Sequence, residues 1–334
     1  MSANAGPWLS AHGKLWYDDR WYRLAWIVWP QALGLLLVTL WLYPPSAQGF
    51  IPWAKPVTEA PKNQPATPAK EPAVPPVVQP PLDAMASCKS GQYADIITNC
   101  TTLLASGTLK GNNITDAYWY RGWAYYSTKQ YQLAMNDYDR AIALAPGNPD
   151  YYNSRGILWV DLGNNERALQ DTDQAILLKP GFANAHMVRG VALNHMKRSN
   201  EALVAYSRSI ELDPTQWLAF ENRASWYEDH SNWRAMYDDA VKLIELAPNY
   251  QMGYEFRAHA YFESGQYQAA VVDYSKAMSL DPNAIYNYRM RGRSYYFLNQ
   301  FDDAMRDYEA ALRIDAKDSA TIDFINELKR RQRR

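Results

Sequence analysis

Residues 115–148 read TDAYWYRGWAYYSTKQYQLAMNDYDRAIALAPGN, and the spacing inside this stretch returns five more times through residue 316. Its small-residue slot, Gly122, recurs as Gly156, Gly190, Ala224, Ala258 and Gly292, each 34 positions after the last. A closing proline keeps the same period at Pro146, Pro180, Pro214, Pro248 and Pro282. Within the unit, Tyr118, Gly122 and Tyr125 step by three or four residues, and Tyr131, Ala134, Tyr138 and Ala141 do so again after a break. Such steps put each set on one face of a helix, and the proline stops the second helix. The period therefore predicts six helix hairpins in an all-α fold. No single hairpin buries its apolar face except by stacking on its neighbours.

An aromatic, a small residue, a second aromatic, a later Ala, another aromatic and a closing Pro over 34 residues resembles the tetratricopeptide repeat (TPR). The resemblance covers residues 115–316 and implies a six-repeat solenoid. A partial repeat at 84–114 precedes it, and a capping helix with a basic tail at 317–334 follows it. It names a scaffold and not a reaction. Two departures stand out. The fourth unit carries Met236 where the others have Ala134, Ala168, Ala202, Ala270 or Ala304, and Ala240 where most have Tyr; the exchange conserves core volume. The sixth unit closes on Ala316 instead of Pro, so helix is expected to run on toward the capping segment.

In the TPR family the first helix of each unit builds the inner curve. Carried onto this chain, the inward slots are Trp119, Trp123 and Tyr126 at one end and Met187 and Asn194 in the middle. Glu221, Glu228, Glu255, His259 and Glu263 follow, then Tyr286, Arg289, Arg293 and Tyr296 in the last unit. The groove so defined is aromatic, then acidic, then mixed cationic and aromatic. Chaperone-binding members of the family use Lys and Asn in these slots to clamp a terminal carboxylate. Trp119 and Trp123 stand there instead, which implies another protein partner, a peptide or helix with apolar anchors and a basic portion. The plainer alternative is that some of these side chains only cover neighbouring repeats.

Two charged ladders share the period. Arg121, Arg155, Arg189, Arg223, Arg257 and Arg291 each precede the small-residue slot, and Asp137, Asp171, Asp239, Asp273 and Asp307 follow their Arg by 16 residues. Opposite charges at that spacing read as a register lock between the two helices of a hairpin. Arg189 has Ala205 in the partner position, which leaves its fork free on this reading.

The partial repeat holds the chain's two cysteines, Cys88 and Cys100. Twelve residues of continuous helix would separate them by about 18 Å, so a bridge requires a turn near Ser90 and Gly91, which the repeat register supplies. Either a disulfide pins the N-terminal edge of the solenoid in an oxidising compartment, or the two are buried thiols.

Seven of the 13 Trp fall within the first 53 residues. There, residues 24–43, LAWIVWPQALGLLLVTLWLY, carry no charge for 20 positions, about the thickness of a hydrocarbon core. Trp26, Trp29 and Trp41 lie near its ends, as membrane-interface residues do, and the span reads as a lipid-embedded transmembrane helix. A cleaved signal peptide is the alternative. Gln31 lies inside the span, either as a contact to another helix or simply close to the interface. Lys14, Arg20 and Arg23 precede the span and Lys55 is the first cation after it, which places residues 1–23 in the cytoplasm, partly as an interfacial segment. Residues 44–83 read as a Pro-rich linker, with twelve Pro between 44 and 81.

A net charge of −1 gives no basic excess to attract nucleic acid. The five His show no metal spacing, and neither GxGxxG, GxxxxGK[ST] nor GxSxG occurs. No enzyme activity, cofactor, metal or small-molecule substrate is expected. These features predict a single-pass protein of the cytoplasmic membrane whose TPR array faces the outer, periplasmic side and recruits or assembles protein partners. The second reading is an accessory subunit of an integral membrane complex, docked mainly through the Trp-rich anchor.

Overall fold

The computed structural model describes residues 85–333. The expected interfacial segment at 1–23, the span at 24–43 with Trp26, Trp29, Gln31 and Trp41, and the linker at 44–83 lie outside the described residues. Among the described residues no helix is long and apolar enough to cross a membrane.

Six hairpins follow the period: α3 (Asn112–Ser127) with α4 (Tyr131–Leu144), α5 (Pro149–Asp161) with α6 (Asn165–Leu178), and α7 (Ala183–His195) with α8 (Ser199–Leu212). They continue as α9 (Trp217–Asp229) with α10 (Trp233–Leu246), α11 (Gln251–Glu263) with α12 (Tyr267–Leu280), and α13 (Ile285–Phe297) with α14 (Phe301–Ile314). A shorter pair, α1 (Ala86–Lys89) and α2 (Tyr93–Ser106), precedes them, and α15 (Ser319–Gln332) closes the array. Each second helix packs on the first helix of the next unit. First helices of successive units also come close to one another, whereas among the described residues no two second helices do. The first helices therefore form the inner layer and the second helices the outer one.

Each hairpin turns through one left-handed residue, and these positions keep the repeat: Lys129, Gly163, Lys197, Ser231, Gly265 and Asn299 have φ between 53° and 75°. There Gln130 N–H reaches back to Tyr125 C=O at 2.8 Å, and the later units repeat the bond. This closure satisfies carbonyls that a helix end leaves open, and it demands a backbone that glycine adopts freely and other residues at a cost. The absence of a proline after unit six has a different outcome from the one its sequence predicts. Helix does not run on. Asp315 accepts the Lys317 N–H at 2.9 Å and Asp318 caps α15 by accepting the Thr321 N–H at 3.0 Å. Asp213 and Asp281 make the same turn in earlier units, so the Asp suffices where the Pro is missing.

The small-residue slot sits where the two helices of a hairpin come closest. A Cβ built on Gly190 would lie 2.5 Å from Tyr206 Cε1, and on Gly292 2.6 Å from Tyr308 Cε1. At Gly156 the facing residue is Thr172, whose nearest methyl would be 3.2 Å away. In unit four Ala224 faces a helix that carries Ala240, and Met236 fills the vacated space; all three are fully buried.

Arginine forks tie the layers together. Nε and Nη2 of Arg121, Arg155, Arg223, Arg257 and Arg291 donate to both oxygens of Asp137, Asp171, Asp239, Asp273 and Asp307 at 2.6–2.8 Å. The remaining nitrogen reaches the preceding unit: Arg155 Nη1 to Asp139 at 2.6 Å, Arg223 Nη1 to Ser207 at 3.1 Å and Arg291 Nη1 to Ser275 at 2.8 Å. Arg189 is not free, contrary to the sequence reading. Lacking a carboxylate at 205, it donates from Nε to Asp173 of the preceding unit at 2.7 Å. Burial lifts the Asp137 and Asp239 carboxyls above their ordinary range although the Arg forks pull the other way. Desolvation thus offsets much of the attraction, and the forks fix register more than they add stability.

At the N-terminal edge Cys88 and Cys100 form a disulfide, with Cα atoms 4.7 Å apart. Gly91, at φ 115°, turns α1 back onto α2. The bridge lies in a cluster with Met85, Ile96, Leu109, Ala117 and Ala124, against which Tyr93 and Trp123 pack.

Two outcomes follow for stability. Gly190→Ala is expected to cost about 1–3 kcal/mol through overpacking against Tyr206, whereas Gly156→Ala, whose added methyl would meet Thr172 at 3.2 Å, is expected to cost less; urea unfolding of the two variants side by side checks the contrast. Lys197→Gly relieves the left-handed turn and raises the unfolding midpoint by an amount equivalent to about 1 kcal/mol.

Candidate functional site

The inner slots sort into two blocks. In the first, Trp119 is half-buried and donates from Nε1 to Ser154 Oγ at 2.8 Å, with its ring 4.9 Å from Tyr120 and 6.1 Å from Tyr151. Trp123 meets Tyr93 edge-on at 5.3 Å, so the disulfide-bearing pair forms one wall of this aromatic end. Asn194 is partly exposed midway along.

The second block spans α9, α11 and α13. His259 lies between two carboxylates, with Nδ1 2.6 Å from Glu228 Oε1 and Nε2 3.5 Å from Glu263 Oε1. The Tyr286 hydroxyl is 3.2 Å from the same Nδ1, and the Trp233 ring stands 5.3 Å from the imidazole. Burial alone would lower the His259 pKa, but the hydrogen bonds to Glu228 and Glu263 outweigh it and push it up to about 9. Glu255, one turn earlier on α11, is pushed up to about 8 by burial and by Glu228, against the opposing influence of Asn287 and His259. Burial also raises Glu221 to about 7, although Tyr250 donates a hydroxyl bond to it at 2.8 Å. At the far end Arg293 lies over Phe324 at 4.4 Å, and Arg331 lies over Tyr296 at 4.7 Å.

Four of the inward slots are inter-unit contacts and not groove surface: Tyr126 is 1% exposed, Met187 1%, Glu255 5% and Arg289 7%. Tyr126 bonds Asp161 at 2.5 Å, Met187 Sδ accepts from Asn222 at 3.9 Å, and Arg289 pairs with Asp318 at 3.1 Å. Each partner comes from the following unit or from the cap, because a slot that points inward at the unit's edge meets its neighbour before it meets solvent. Slot reasoning also passes over Ser154, Trp233, Tyr250 and Asn287. Trp233 belongs to a second helix and Tyr250 to a connection, so no first-helix pattern could reach them.

With this geometry in view, the class of the fold is clear: stacked helix hairpins with a closely spaced inner layer. Tetratricopeptide repeat models match residues 115–148, 154–216, 258–296 and 287–318. The chain therefore carries tetratricopeptide repeats. The stretch between 216 and 258 that no model matches is the unit with Met236 and Ala240 in exchanged slots. Among solved structures, PilW, titled a widely conserved type IV pilus biogenesis factor, is 16% identical with a TM-score of 0.56. That match covers 64% of this chain and 99% of PilW. YrrB, titled a TPR protein with an unusual peptide-binding site, is 15% identical with a TM-score of 0.51, covering 57% of this chain and 97% of its own. These likenesses bear on the fold alone. No curated protein matches the sequence. Repeats of this class act as protein-interaction scaffolds.

The acid block makes stability pH-dependent with a definite sign. Glu255 and Glu221 titrate higher in the folded chain than the ordinary glutamate value of 4.5, so the native state holds more protons than the unfolded one from there up to about 8. Their contribution is present at low pH and is lost as pH rises through that window. The His259 contribution is lost between its ordinary 6.5 and about 9, in the same direction. Resistance to urea is therefore expected to fall from pH 6.5 to pH 9, and Glu255→Gln to flatten the slope by as much as about 1.4 kcal/mol per pH unit.

Proposed function

We propose that the chain is a membrane-anchored scaffold that holds a protein partner along the inner layer of first helices, for recruitment or assembly in the cell envelope. The observation that carries this reading is the partly exposed indole pair Trp119 and Trp123, set at one end of a continuous row of closely spaced first helices. Large aromatic side chains held in place by neighbours supply contact area at low entropic cost, which is the character of binding hot spots. Trp119 is held by Ser154 and Trp123 by Tyr93. YrrB, a TPR protein, has a peptide-binding site, and a peptide fits as the ligand class here. The uncharged run at 24–43 supports an anchor, and the Cys88–Cys100 disulfide supports an oxidising compartment for the repeats.

Capture from native membranes tests this with three forms: the full-length protein, a version starting at Asp83, and the full-length protein with Trp119→Ala and Trp123→Ala. The first two are expected to retrieve the same partner and the third to retain it at least about 30-fold more weakly, with its circular dichroism unchanged. Undiminished capture by the Trp double variant overturns the reading. Capture by full-length forms alone moves recognition to the anchor.

A further inference from the structure

We propose that the inner face spanning units four to six contains a receptor pocket for one positively charged group of the partner, an ammonium or guanidinium side chain, built from Glu221, Glu228, Glu255, His259, Glu263 and Asn287. The inference rests on the scaffold reading above and specifies what that scaffold selects.

The arginine ladder is matched. Five Arg forks each meet an Asp, and Arg189 finds Asp173 across the unit boundary. The inner slots of units four and five break this rule. Glu221 and Glu255 occupy the same slot 34 residues apart, Glu255 buried and Glu221 half-buried, and neither makes an ion pair. Glu221 has only the Tyr250 hydroxyl, and Glu255 faces Glu228, Asp281, His259 and Asn287. Glu228, Glu255 and Glu263 thus share the single positive charge of His259, which leaves the group with more carboxyls than cations. A carboxyl group withdrawn from water without a cation is costly to ionise, and a cation brought alongside recovers that cost.

Asn287 supplies an independent sign. Its side chain is fully buried, and its amide lies near enough to Glu255 to favour the charged carboxylate. Yet neither Nδ2 nor Oδ1 has a partner in hydrogen-bonding geometry. Buried amides are rarely left so, and one that stands beside an unpaired carboxyl group marks a polar site awaiting a further group. The mouth is provided by Glu228 and Glu263, whose side chains are 15% and 34% exposed. Trp233, with its ring 5.3 Å from the His259 ring, offers an aromatic face of the kind that attracts organic cations, whereas the Tyr286 ring already has the Arg289 guanidinium over it at 5.8 Å. A metal ion is a poor occupant, because among the described residues no three His, Cys, Asp or Glu converge with metal-binding geometry.

The test uses full-length protein and three synthetic decapeptides, of lysine, of glutamate and of alternating Gly and Ser, titrated calorimetrically at pH 7 in two buffers of different ionisation heat. Decalysine is expected to bind and to release protons from the buried carboxyl groups as it does so, while the other two peptides give no signal. Glu255→Gln should remove part of the proton release, and Glu228→Gln with Glu263→Gln should weaken decalysine about tenfold or more. Asp238→Asn, an exposed acid on α10, serves as the control and should change neither. Decalysine that fails to bind, binds without releasing protons, or weakens equally in the control overturns the pocket. So does partner capture that survives the Glu228→Gln, Glu263→Gln variant but is lost with Trp119→Ala and Trp123→Ala, and this outcome leaves the scaffold reading standing. Capture that survives both sets of substitutions overturns the two together.

Discussion

The array depends on a planar guanidinium that holds three helices at once. Two of its nitrogens grip an Asp of the same hairpin, and in most units the third reaches a hydroxyl or carboxylate of the hairpin before. A lysine could not do this, since its ammonium offers no fork with fixed angles. Burial removes much of the net energy, so the contribution is geometric: it sets how far each unit turns relative to the last. The aromatic and small-residue packing then follows that register. Tyr206 and Tyr308 lie against Gly190 and Gly292 at distances that leave no room for a methyl group.

Unit three shows how much latitude this arrangement allows. Its Arg189 lacks the intra-hairpin Asp and anchors backward only, onto an exposed carboxylate. Unit four dispenses with the aromatic in the second helix and fills the volume with Met236. The two least regular units are adjacent, and the acid-rich stretch of inner surface begins at the second of them.

The 34-residue period made the hairpins, their order and the disulfide's turn legible from sequence, because each follows from spacing alone. What depends on the neighbouring unit was not legible. Tyr126 and Met187 occupy inward slots but are covered by the next hairpin, and only the identity of Asp161 and Asn222 across the junction explains it. Lys129, Lys197, Ser231 and Asn299 hold left-handed turns that glycine would have advertised. The break before α15 has a similar cause: Asp315 makes the turn without a proline. Within the acid block the glutamates and His259 follow the pattern, whereas Asn287 and Trp233 lie outside the slots and meet the block only through the packing of neighbouring helices.

The layering has a mechanical consequence. First helices approach their counterparts in the next unit more closely than second helices do, so the inner layer is the more closely spaced of the two. Such a stack behaves as a leaf spring with its stiff side inward. Bending that fans the outer layer apart would change the spacing of the inner side chains least. A partner lying along that inner side would remain in register while the array flexed behind it.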